Sequence, residues 1–248
     1  MHAVILAAGA ARLRPDDTAP KALLEVGGVP VLRRAMTTLL RAGIDQFTIA
    51  LGYQAAAIRA AVIAWFPDLE IAWVENTAYA TTHNAQTLLL ARAHVAGHSF
   101  VLLDDDVVFD LAVIEELVVR GPDAIAVRSV GEIGLEDVKV TADREDRVLA
   151  IGKHVPARSA MGESVGIALF SPKTSTKLFA ALAKRAAHEY YEAAIQQIVD
   201  DGATLYGVDI GTKFAAEIDT PADLAAANAH LAHEPAFDVR VTELRLAI

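Results

Sequence analysis

MHAVILAAGAARLRPDDTAPKALLEVGG, residues 1–28, is the stretch that decides the fold. Its apolar run Ala3–Ala8 predicts a buried strand, and Gly9 ends that run in a loop of small residues. Backbone N–H groups are accessible beside small residues, and fixed positive charge neutralises phosphate. The stretch therefore predicts a strand that leads into a polyphosphate-binding loop, although a plain turn with solvated charges has the same local pattern. The loop carries three cations, namely Arg12, Arg14 and Lys21.

The composition limits the class of protein and its partners. The chain has 248 residues, 54% of them hydrophobic, which is enough for one large α/β domain with a substantial core. A formal net charge of −10 disfavours binding to the phosphate backbone of a nucleic acid, so we expect no nucleic-acid partner. The chain contains no cysteine, which excludes disulfides, thiolate metal sites and a thiol nucleophile.

The N-terminal apolar run is too short for a signal peptide or a membrane span, and no basic segment precedes it. We therefore expect a soluble, cytoplasmic protein that makes no membrane contact.

Short apolar runs alternate along the chain with segments of helical periodicity. This alternation is typical of an α/β fold with a mostly parallel sheet covered by helices. The predicted later strands are Phe47–Leu51, Glu70–Val74, Ser99–Leu103, Ala124–Val130 and Thr204–Val208. The predicted helices are Val31–Arg41, Gln54–Trp65, Thr87–Val95, Asp110–Arg120, Thr174–Ala187, Glu189–Asp201 and a last one from Pro221, with Thr220 as its N-cap, to about Leu231.

Residues 136–170 differ from the rest, because three short runs are separated by turns instead of helices. They predict a small antiparallel sheet added to the parallel core, formed by Asp137–Thr141, Arg147–Gly152 and Glu163–Phe170. We expect a single domain over residues 1–232 and a C-terminal tail over residues 233–248. The tail could pair as an edge strand or contact a second subunit, so a homodimer is possible.

Two acidic clusters lie at the ends of predicted strands. Asp104–Asp106 follows a buried strand, and Glu217–Asp219 precedes the last helix. Ligands of open parallel sheets bind beyond the carboxyl ends of the strands, where carboxylates from both clusters could share one Mg²⁺ with substrate phosphates. Together with the cationic loop, the clusters predict a metal–nucleotide site. An Asp triplet is also typical of a solvated turn, and the choice between Asp105 and Asp106 as ligand stays open.

Other catalytic motifs do not fit the chain. The loop Gly9-Ala10-Ala11-Arg12 lacks the G-x-G-x-x-G pattern of dinucleotide-binding folds. No Gly-Lys-Ser/Thr follows it, which excludes a P-loop, and the sequence contains no nucleophile elbow.

The N-terminal segments Leu6–Gly9, Arg12-Leu13 and Pro20–Leu24 resemble the signature of nucleotidyltransferases that join a nucleoside triphosphate to a phosphorylated small molecule. The resemblance implies the Rossmann-like fold of the nucleotide-diphospho-sugar transferase type. The first loop is one residue shorter than the Gly-x-Gly-x-Arg that is usual in the family. Similarity to the phosphocholine and aminoethylphosphonate cytidylyltransferase branch is carried by Asn84–Leu88, Asp137–Val140, Gly162–Ile167 and Tyr190–Glu192.

The resemblance implies an enzyme that transfers CMP from CTP, or a nucleotidyl group from another NTP, to a small phosphorylated or phosphonate acceptor, with Mg²⁺ as cofactor. The implied catalytic cations are Arg12 and Lys21, and the implied metal ligands are Asp106 and Asp219. The implied nucleotide-binding residues are Ala7, Ala8, Gly9, Ala10, Asn84, Thr87 and Asp104. The implied acceptor-binding residues are Lys139, Lys153, Glu163, Ser164, Tyr190, Tyr191 and Glu192.

Several of these residues have an alternative role. Asn84 and Thr87 could equally cap the helix that follows them, and both tyrosines could be ordinary core residues. Two other functions also stay open: a sugar-1-phosphate nucleotidyltransferase that uses another NTP, and a non-catalytic nucleotide-sensing subunit.

Overall fold

A computed structural model of the chain describes residues 1–10, 13 and 19–232. The strands in this part are β1 His2–Ala7, β2 Glu25–Val26, β3 Val29–Pro30, β4 Gln46–Leu51, β5 Ile71–Glu75, β6 Phe100–Asp104, β7 Val107–Phe109, β8 Ala124–Arg128, β9 Lys139–Ala142, β10 Val148–Gly152, β11 Gly162–Phe170, β12 Tyr206–Asp209 and β13 Ala215–Glu217. The helices are α1 Val31–Arg41, α2 Ala55–Trp65, α3 Asn84–Leu90, α4 Arg92–Val95, α5 Leu111–Arg120, α6 Pro172–Leu182, α7 Tyr191–Asp200 and α8 Pro221–Leu231.

Within the described residues, nine strands form the main sheet, and β1 lies near its middle. β1 pairs in parallel with β4 and β6, and this register places Leu6 beside Asp104 at the carboxyl ends of the strands. The next strand, β11, runs antiparallel to β6 and also pairs with β8 and β9. The predicted mostly parallel sheet with added antiparallel strands is confirmed, and the added strands extend the main sheet itself.

Helices cover both faces of β1. On one face, Ala3, Ile5 and Ala7 pack under α1, α2 and α5. On the other face, Val4 and Leu6 pack under α3, α6 and α7. All six residues Ala3–Ala8 are therefore buried. A central parallel strand covered on both faces requires an unbroken apolar run, which is what the sequence contains.

The helices α6 and α3 begin before the residues at which they were predicted to begin. α6 starts at Pro172, because Ser171 is its N-cap and accepts a hydrogen bond from the Thr174 N–H at 3.2 Å. It ends at Leu182, five residues before the predicted end at Ala187. α3 starts at Asn84, so the predicted start at Thr87 is wrong by three residues.

The last helix begins as predicted, with Thr220 as N-cap and Pro221 at the first helical position. Its cap is a reciprocal box in which Thr220 and Asp223 bond each other's backbone N–H groups. No helix in the part that the structure describes is long and apolar enough to cross a membrane. The predicted tail, residues 233–248, lies outside the described ranges, as do Arg12 and Arg14.

Candidate active site

A cavity of about 510 Å³ lies beyond the carboxyl ends of β1 and β6. One side is formed by Ala8, Gly9 and Ala10, directly after the first strand. The opposite side is formed by the start of α3 and by the residues just before it, including Thr82, Asn84 and Thr87. Asp104, Asp105, Asp106 and Lys21 also line the cavity. The predicted nucleotide-binding residues are thus brought together, except for Ala7, the last residue of β1, which is buried and does not line the cavity.

Gly52, which belongs to none of the sequence motifs, shapes one side of this cavity. A Cβ atom at this position would lie 2.6 Å from the Ala8 carbonyl oxygen and 2.8 Å from Cβ of Tyr79. Only glycine therefore allows the backbone after β4 to approach Ala8 so closely. The Tyr53 N–H uses this proximity to donate to the Ala8 carbonyl at 3.1 Å. A glycine directly after a predicted buried strand was the available signal.

Lys21 lies in a 3₁₀ turn, Lys21–Leu23, and only 9% of it is exposed. Its ammonium donates to Asp106 Oδ2 at 3.0 Å and also to Asp219 Oδ1. Burial lowers the pKa of Lys21, but the two adjacent carboxylates outweigh burial and raise it above its usual value. The lysine is therefore a fixed cation at the meeting point of the first loop and both acidic clusters.

The pairing of two short strands brings the acidic clusters together. β7 and β13 are antiparallel and place Glu217 opposite Val107. Immediately beyond the pair, the Ile218 N–H donates to the Asp106 carbonyl at 2.9 Å. Asp219 comes next, just before the N-cap of α8. Residues more than a hundred positions apart in the sequence thus become neighbours through backbone hydrogen bonds.

A small apolar cluster, here called the loop core, supports the same three segments. Its buried members come from β2, from α1, from β7, from the residue before Asp219 and from α8. They are Val26, Val31, Val108, Ile218 and Ala227.

Four carboxyl groups crowd the floor of the cavity. Burial, followed by repulsion from neighbouring carboxylates, raises the pKa of Asp104, Asp105 and Glu217. The pKa of Asp106 is also raised, because burial and the charge of Asp219 outweigh the attraction of Lys21. Such a concentration of negative charge favours binding of a cation.

The donor set fits a hard divalent cation. Asp106 and Asp219 both direct an oxygen at the same point, which the Lys21 ammonium contacts. Among the described residues, no cluster of three or more His, Asp or Glu side chains is arranged as a complete metal site. In proteins, Mg²⁺ is usually held by one or two carboxylates together with substrate phosphates and water. Of the two candidates in the triplet, Asp106 has the geometry of a ligand, since it faces Asp219 across Lys21.

Glu217 belongs to the same cluster, although only Asp219 was predicted from that segment as a ligand. It lines the cavity together with Asp104 and Asp106. Gly166 of β11 packs directly against it: a Cβ atom on this glycine would lie 2.9 Å from Glu217 Oε1 and 3.0 Å from Asp104 Oδ2. The backbone at Gly166 also has a φ of +69°. Asp104 and Glu217 therefore pack against a position at which any residue other than glycine would clash with them.

Gly166→Ala is expected to reduce both the stability of the protein and its activity. The left-handed backbone costs an L-residue roughly 1–2 kcal/mol, and the new methyl group would displace Asp104 or Glu217. Gly43→Ala is the matched control, because Gly43 also has a positive φ of +77° but nothing within 4 Å of the added Cβ. Thermal melts should show a loss for both variants, whereas steady-state rates should fall at least tenfold for Gly166→Ala alone. Equal rates for the two variants would contradict this role of Gly166.

The structure places Tyr191 beneath the floor of the cavity. Its hydroxyl donates to Asp104 Oδ2 at 2.9 Å, and its side chain is buried. Burial and the charge of Asp104 raise the pKa of this tyrosine. Its backbone N–H donates to Asn84 Oδ1 at 2.9 Å, so Asn84 connects α3 to the start of α7 and does not cap its own helix. The prediction that Tyr191 contacts the acceptor is corrected, since it supports Asp104 from below.

A second cavity, of about 610 Å³, adjoins the first and shares its carboxylates. Asp104, Glu217 and Asp219 line both. Five of the seven predicted acceptor-binding residues line the second cavity, namely Lys153, Glu163, Ser164, Tyr190 and Glu192. Tyr190 is at the boundary, where its ring lies 4.5 Å from that of His83. The site is thus a pair of connected cavities with Asp104, Glu217 and Asp219 at their junction, and Lys21, which lines the first cavity, bonds Asp219 there.

Lys139 is not on the surface of this cavity. It is 3% exposed, and its ammonium donates to the carbonyls of Gly134, Leu135 and Asp137 at 3.3, 2.9 and 2.8 Å. The prediction that it binds the acceptor phosphate is corrected: the three carbonyls occupy its donors. Its role is to hold residues 134–137, which form part of the cavity wall.

The two glutamates of the second cavity differ in their partners. Glu163 pairs with Arg128, and burial together with a hydrogen bond to Asp137 raises its pKa to about 7. Glu192 is 8% exposed, and its Oε2 has no hydrogen-bond partner within the described part of the chain. Burial raises the pKa of Glu192 to about 7, against the opposing effect of Lys153. Lys153 lies 5.1 Å from the centre of the Tyr190 ring.

Glu192→Gln is expected to stabilise the protein at alkaline pH and not at acidic pH. Because the folded-state pKa is about 7 and the ordinary value is 4.5, the folded state binds the proton more tightly. The free energy of unfolding should therefore fall as pH rises from about 4.5 to about 7, by about 3 kcal/mol for this group alone. Glutamine does not titrate, so the variant should lack this contribution to the pH dependence of stability. The charged groups around Glu192 are Lys153, Asp104 and Glu217.

Denaturant titrations at pH 4.5 and pH 8 would measure this effect. Glu115→Gln is the matched control, since Glu115 is an exposed residue of α5. A Glu192→Gln protein with the same pH dependence as the wild type would contradict the assignment.

The fold and the paired cavities define the nucleotidyltransferase class: a Rossmann-like sheet with a lysine and two strand-end carboxylates beyond its first strand. The chain belongs to the MobA-like NTP transferase domain family, whose sequence model matches residues 3–200. The family resemblance of the N-terminal segments is thereby confirmed.

Known relatives agree with this family. Over 129 residues, 51% of this chain, the sequence is 35% identical to the CMP-5'-(3-aminopropyl)phosphonate synthase of Streptomyces rubellomurinus (strain ATCC 31215). The matched segment covers only 20% of that protein's length. Among solved structures, the inositol-1-phosphate CTP transferase from T. maritima superposes with a TM-score of 0.79 at 20% identity, covering 95% of this chain and 98% of the other.

A second solved structure belongs to the predicted branch. The CTP:phosphocholine cytidylyltransferase from Streptococcus pneumoniae (LicC) superposes with a TM-score of 0.73 at 18% identity, covering 92% of this chain and 98% of the other. At these identities the structures establish a common fold.

Proposed function

We propose that the chain transfers CMP from CTP to an anionic oxygen of a small amine-bearing phosphonate or phosphate, and that it releases pyrophosphate. The observation that carries the proposal is the position of Lys21, which lines the first cavity and whose ammonium bonds Asp106 and also Asp219, a residue that lines both cavities. A reaction between two anionic substrates needs fixed positive charge at their contact point. The sequence relative that is named as a CMP-phosphonate synthase supports this choice of acceptor and nucleotide.

The chemistry follows from the charges of the substrates. An acceptor oxygen attacks the α-phosphorus and forms the new P–O bond, while the bond from the α-phosphorus to the bridging oxygen breaks. The electron pair of that bond leaves with pyrophosphate. The nucleophile is already anionic near neutral pH, so the residues need only align the reactants and neutralise charge. Lys21 would serve both the α-phosphate and the incoming oxygen, and Arg12 is predicted to serve the β- and γ-phosphates.

The carboxylates complete this arrangement. Asp106 and Asp219 would hold Mg²⁺, which neutralises phosphate charge when it is bound. Asp104 is held by the Tyr191 hydroxyl at 2.9 Å and stays available to the cavity that the nucleotide would occupy.

The second cavity suits an acceptor with a cationic end. Glu192 is the better partner for such a cation, because Glu163 is already paired with Arg128. The Tyr190 ring at the cavity boundary can add a cation–π contact. Lys153, which already faces that ring, is predicted to meet the acceptor's negative charge.

Pyrophosphate release from the purified chain tests the proposal. The chain would be mixed with Mg²⁺, each of the common NTPs in turn, and a panel containing 2-aminoethylphosphonate, 3-aminopropylphosphonate, phosphocholine and hexose 1-phosphates. Release with CTP and an amine-bearing phosphonate or phosphate is the expected result. Release with a hexose phosphate alone would show a sugar-1-phosphate nucleotidyltransferase instead. Nucleotide binding without release from any pair would favour the non-catalytic nucleotide-sensing function.

A further inference from the structure

Asn76 lies immediately after β5 and is 3% exposed. Its backbone N–H donates to the Leu51 carbonyl at 2.7 Å, which fixes the residue against the end of β4. None of the sequence motifs included it. Its side chain lies behind two threonine hydroxyls that line the nucleotide cavity, those of Thr82 and Thr87.

The orientation of the Asn76 amide is determined by its partners. The Ala78 N–H, which can only donate, lies 3.1 Å from Oδ1. The amide oxygen must therefore face Ala78, and the amide nitrogen must face the threonines. Nδ2 has two hydrogens and donates to Thr82 Oγ1 at 2.9 Å and to Thr87 Oγ1 at 3.0 Å. Both hydroxyl oxygens thus accept a hydrogen bond from one nitrogen.

The two hydroxyls differ in what they have left to offer a ligand. The Thr82 hydroxyl donates its hydrogen to the Ala78 carbonyl at 3.0 Å, so it can act only as an acceptor towards a ligand. Thr87 is 4% exposed, and no acceptor for its hydroxyl hydrogen lies within bonding distance in the described ranges. Thr87 is therefore a free donor. The wall of the cavity presents an acceptor and a donor side by side.

We propose that Asn76, through Thr82 and Thr87, selects cytosine over uracil as the base of the nucleotide. Cytosine carries an amino donor at N4 beside an acceptor at N3, which complements an acceptor next to a donor. Uracil and thymine have the reverse order, with a carbonyl at C4 beside N3–H. The inference rests on the proposed function for the identity of the bound nucleotide. It assigns base selection to Thr87 as the contacting residue and to Asn76 as the positioning residue.

The test measures nucleotide affinity by calorimetry, without acceptor, for CTP, UTP and ATP. The wild-type chain is expected to bind CTP at least tenfold more tightly than UTP. Thr87→Val keeps the size of the side chain but removes the donor, and it should reduce the CTP-to-UTP ratio about tenfold. Thr87→Ser restores the hydroxyl and should restore the ratio. Thr176→Val, at an exposed position of α6, is the control.

Asn76→Asp provides an independent test, because it replaces the shared donor by an acceptor of the same size. Both threonine hydroxyls would then donate to the new carboxylate, and the CTP-to-UTP ratio should fall at least as far as in Thr87→Val. Thermal melts of all variants report folding, and the Thr87 series alone is decisive if Asn76→Asp does not fold.

Three results would overturn the inference: a Thr87→Val ratio within twofold of wild type, equal wild-type affinities for CTP and UTP, or ATP bound as tightly as CTP. Adenine has the same amino-next-to-acceptor edge as cytosine, so the ATP measurement separates the two bases. Each of these outcomes leaves pyrophosphate release with the acceptor panel as a separate test of the proposed function. A wild-type chain that binds no nucleotide would overturn both proposals.

Discussion

Lys21→Met is expected to lower kcat by about 10²- to 10⁴-fold, which is the range for loss of a cation that neutralises transition-state charge. The ammonium contacts both Asp106 and Asp219, which places it beside the carboxylates that are proposed to hold the metal ion. The KM for the nucleotide should change much less, since the interaction strengthens as charge develops at the α-phosphorus. Initial rates of pyrophosphate release at saturating substrates would measure the effect.

Lys173→Met is the matched control for this variant. Lys173 is an exposed residue of α6, and its replacement should leave the rate and the stability unchanged. Removal of Lys21 also leaves two carboxylates without their shared partner, so the melting temperature must be recorded. A folded Lys21→Met protein with a rate within threefold of wild type would refute the catalytic assignment.

Asp106→Asn is expected to reduce the rate by roughly 10³-fold and to raise the Mg²⁺ concentration needed for half-maximal activity. Asparagine keeps the size of the side chain and an oxygen for the Lys21 ammonium, but it removes the negative charge that a divalent cation requires. Rates measured across a Mg²⁺ series would separate weakened metal binding from loss of the chemical step. Asp68→Asn, at an exposed turn after α2, controls for the substitution itself.

Asp105→Asn addresses the choice between the two neighbouring carboxylates. Asp105 bonds backbone groups, including that of Ala22, and does not contact Lys21 within hydrogen-bond distance. We expect its loss to cost less than tenfold in rate with little change in the Mg²⁺ requirement. A larger loss for Asp105→Asn than for Asp106→Asn would transfer the ligand role to Asp105.

The parts of the site that the sequence predicted are those whose positions follow from the ends of strands. The Asp104–Asp106 cluster follows the predicted strand that became β6, so the general rule for open sheets placed it beyond the first strand, whereas the family resemblance singled out Asp219. The buried run Ala3–Ala8 likewise identified the central strand, because only a strand covered on both faces has no polar positions. Local patterns were sufficient for these residues.

The remaining parts depend on contacts between distant segments, which no local pattern contains. A lysine such as Lys139 is expected at the surface, and its burial requires three carbonyls from one loop. Tyr191 supports Asp104 from 87 positions away, and Asn84 bonds the start of α7 from 107 positions away. Asn76 acts through hydroxyl orientation, which composition and periodicity do not encode.

The loop core has a consequence for how the protein loses activity on unfolding. It is separate from the two clusters that hold the main sheet, and it packs β2, the strand after Asp106 and the helix after Asp219 against one another. Small peripheral clusters open at lower free energy than the central sheet of a domain. In a denaturant series, transfer activity should therefore disappear before the circular dichroism of the sheet changes. The catalytic assembly would behave as a folding unit of its own, less stable than the sheet that carries it.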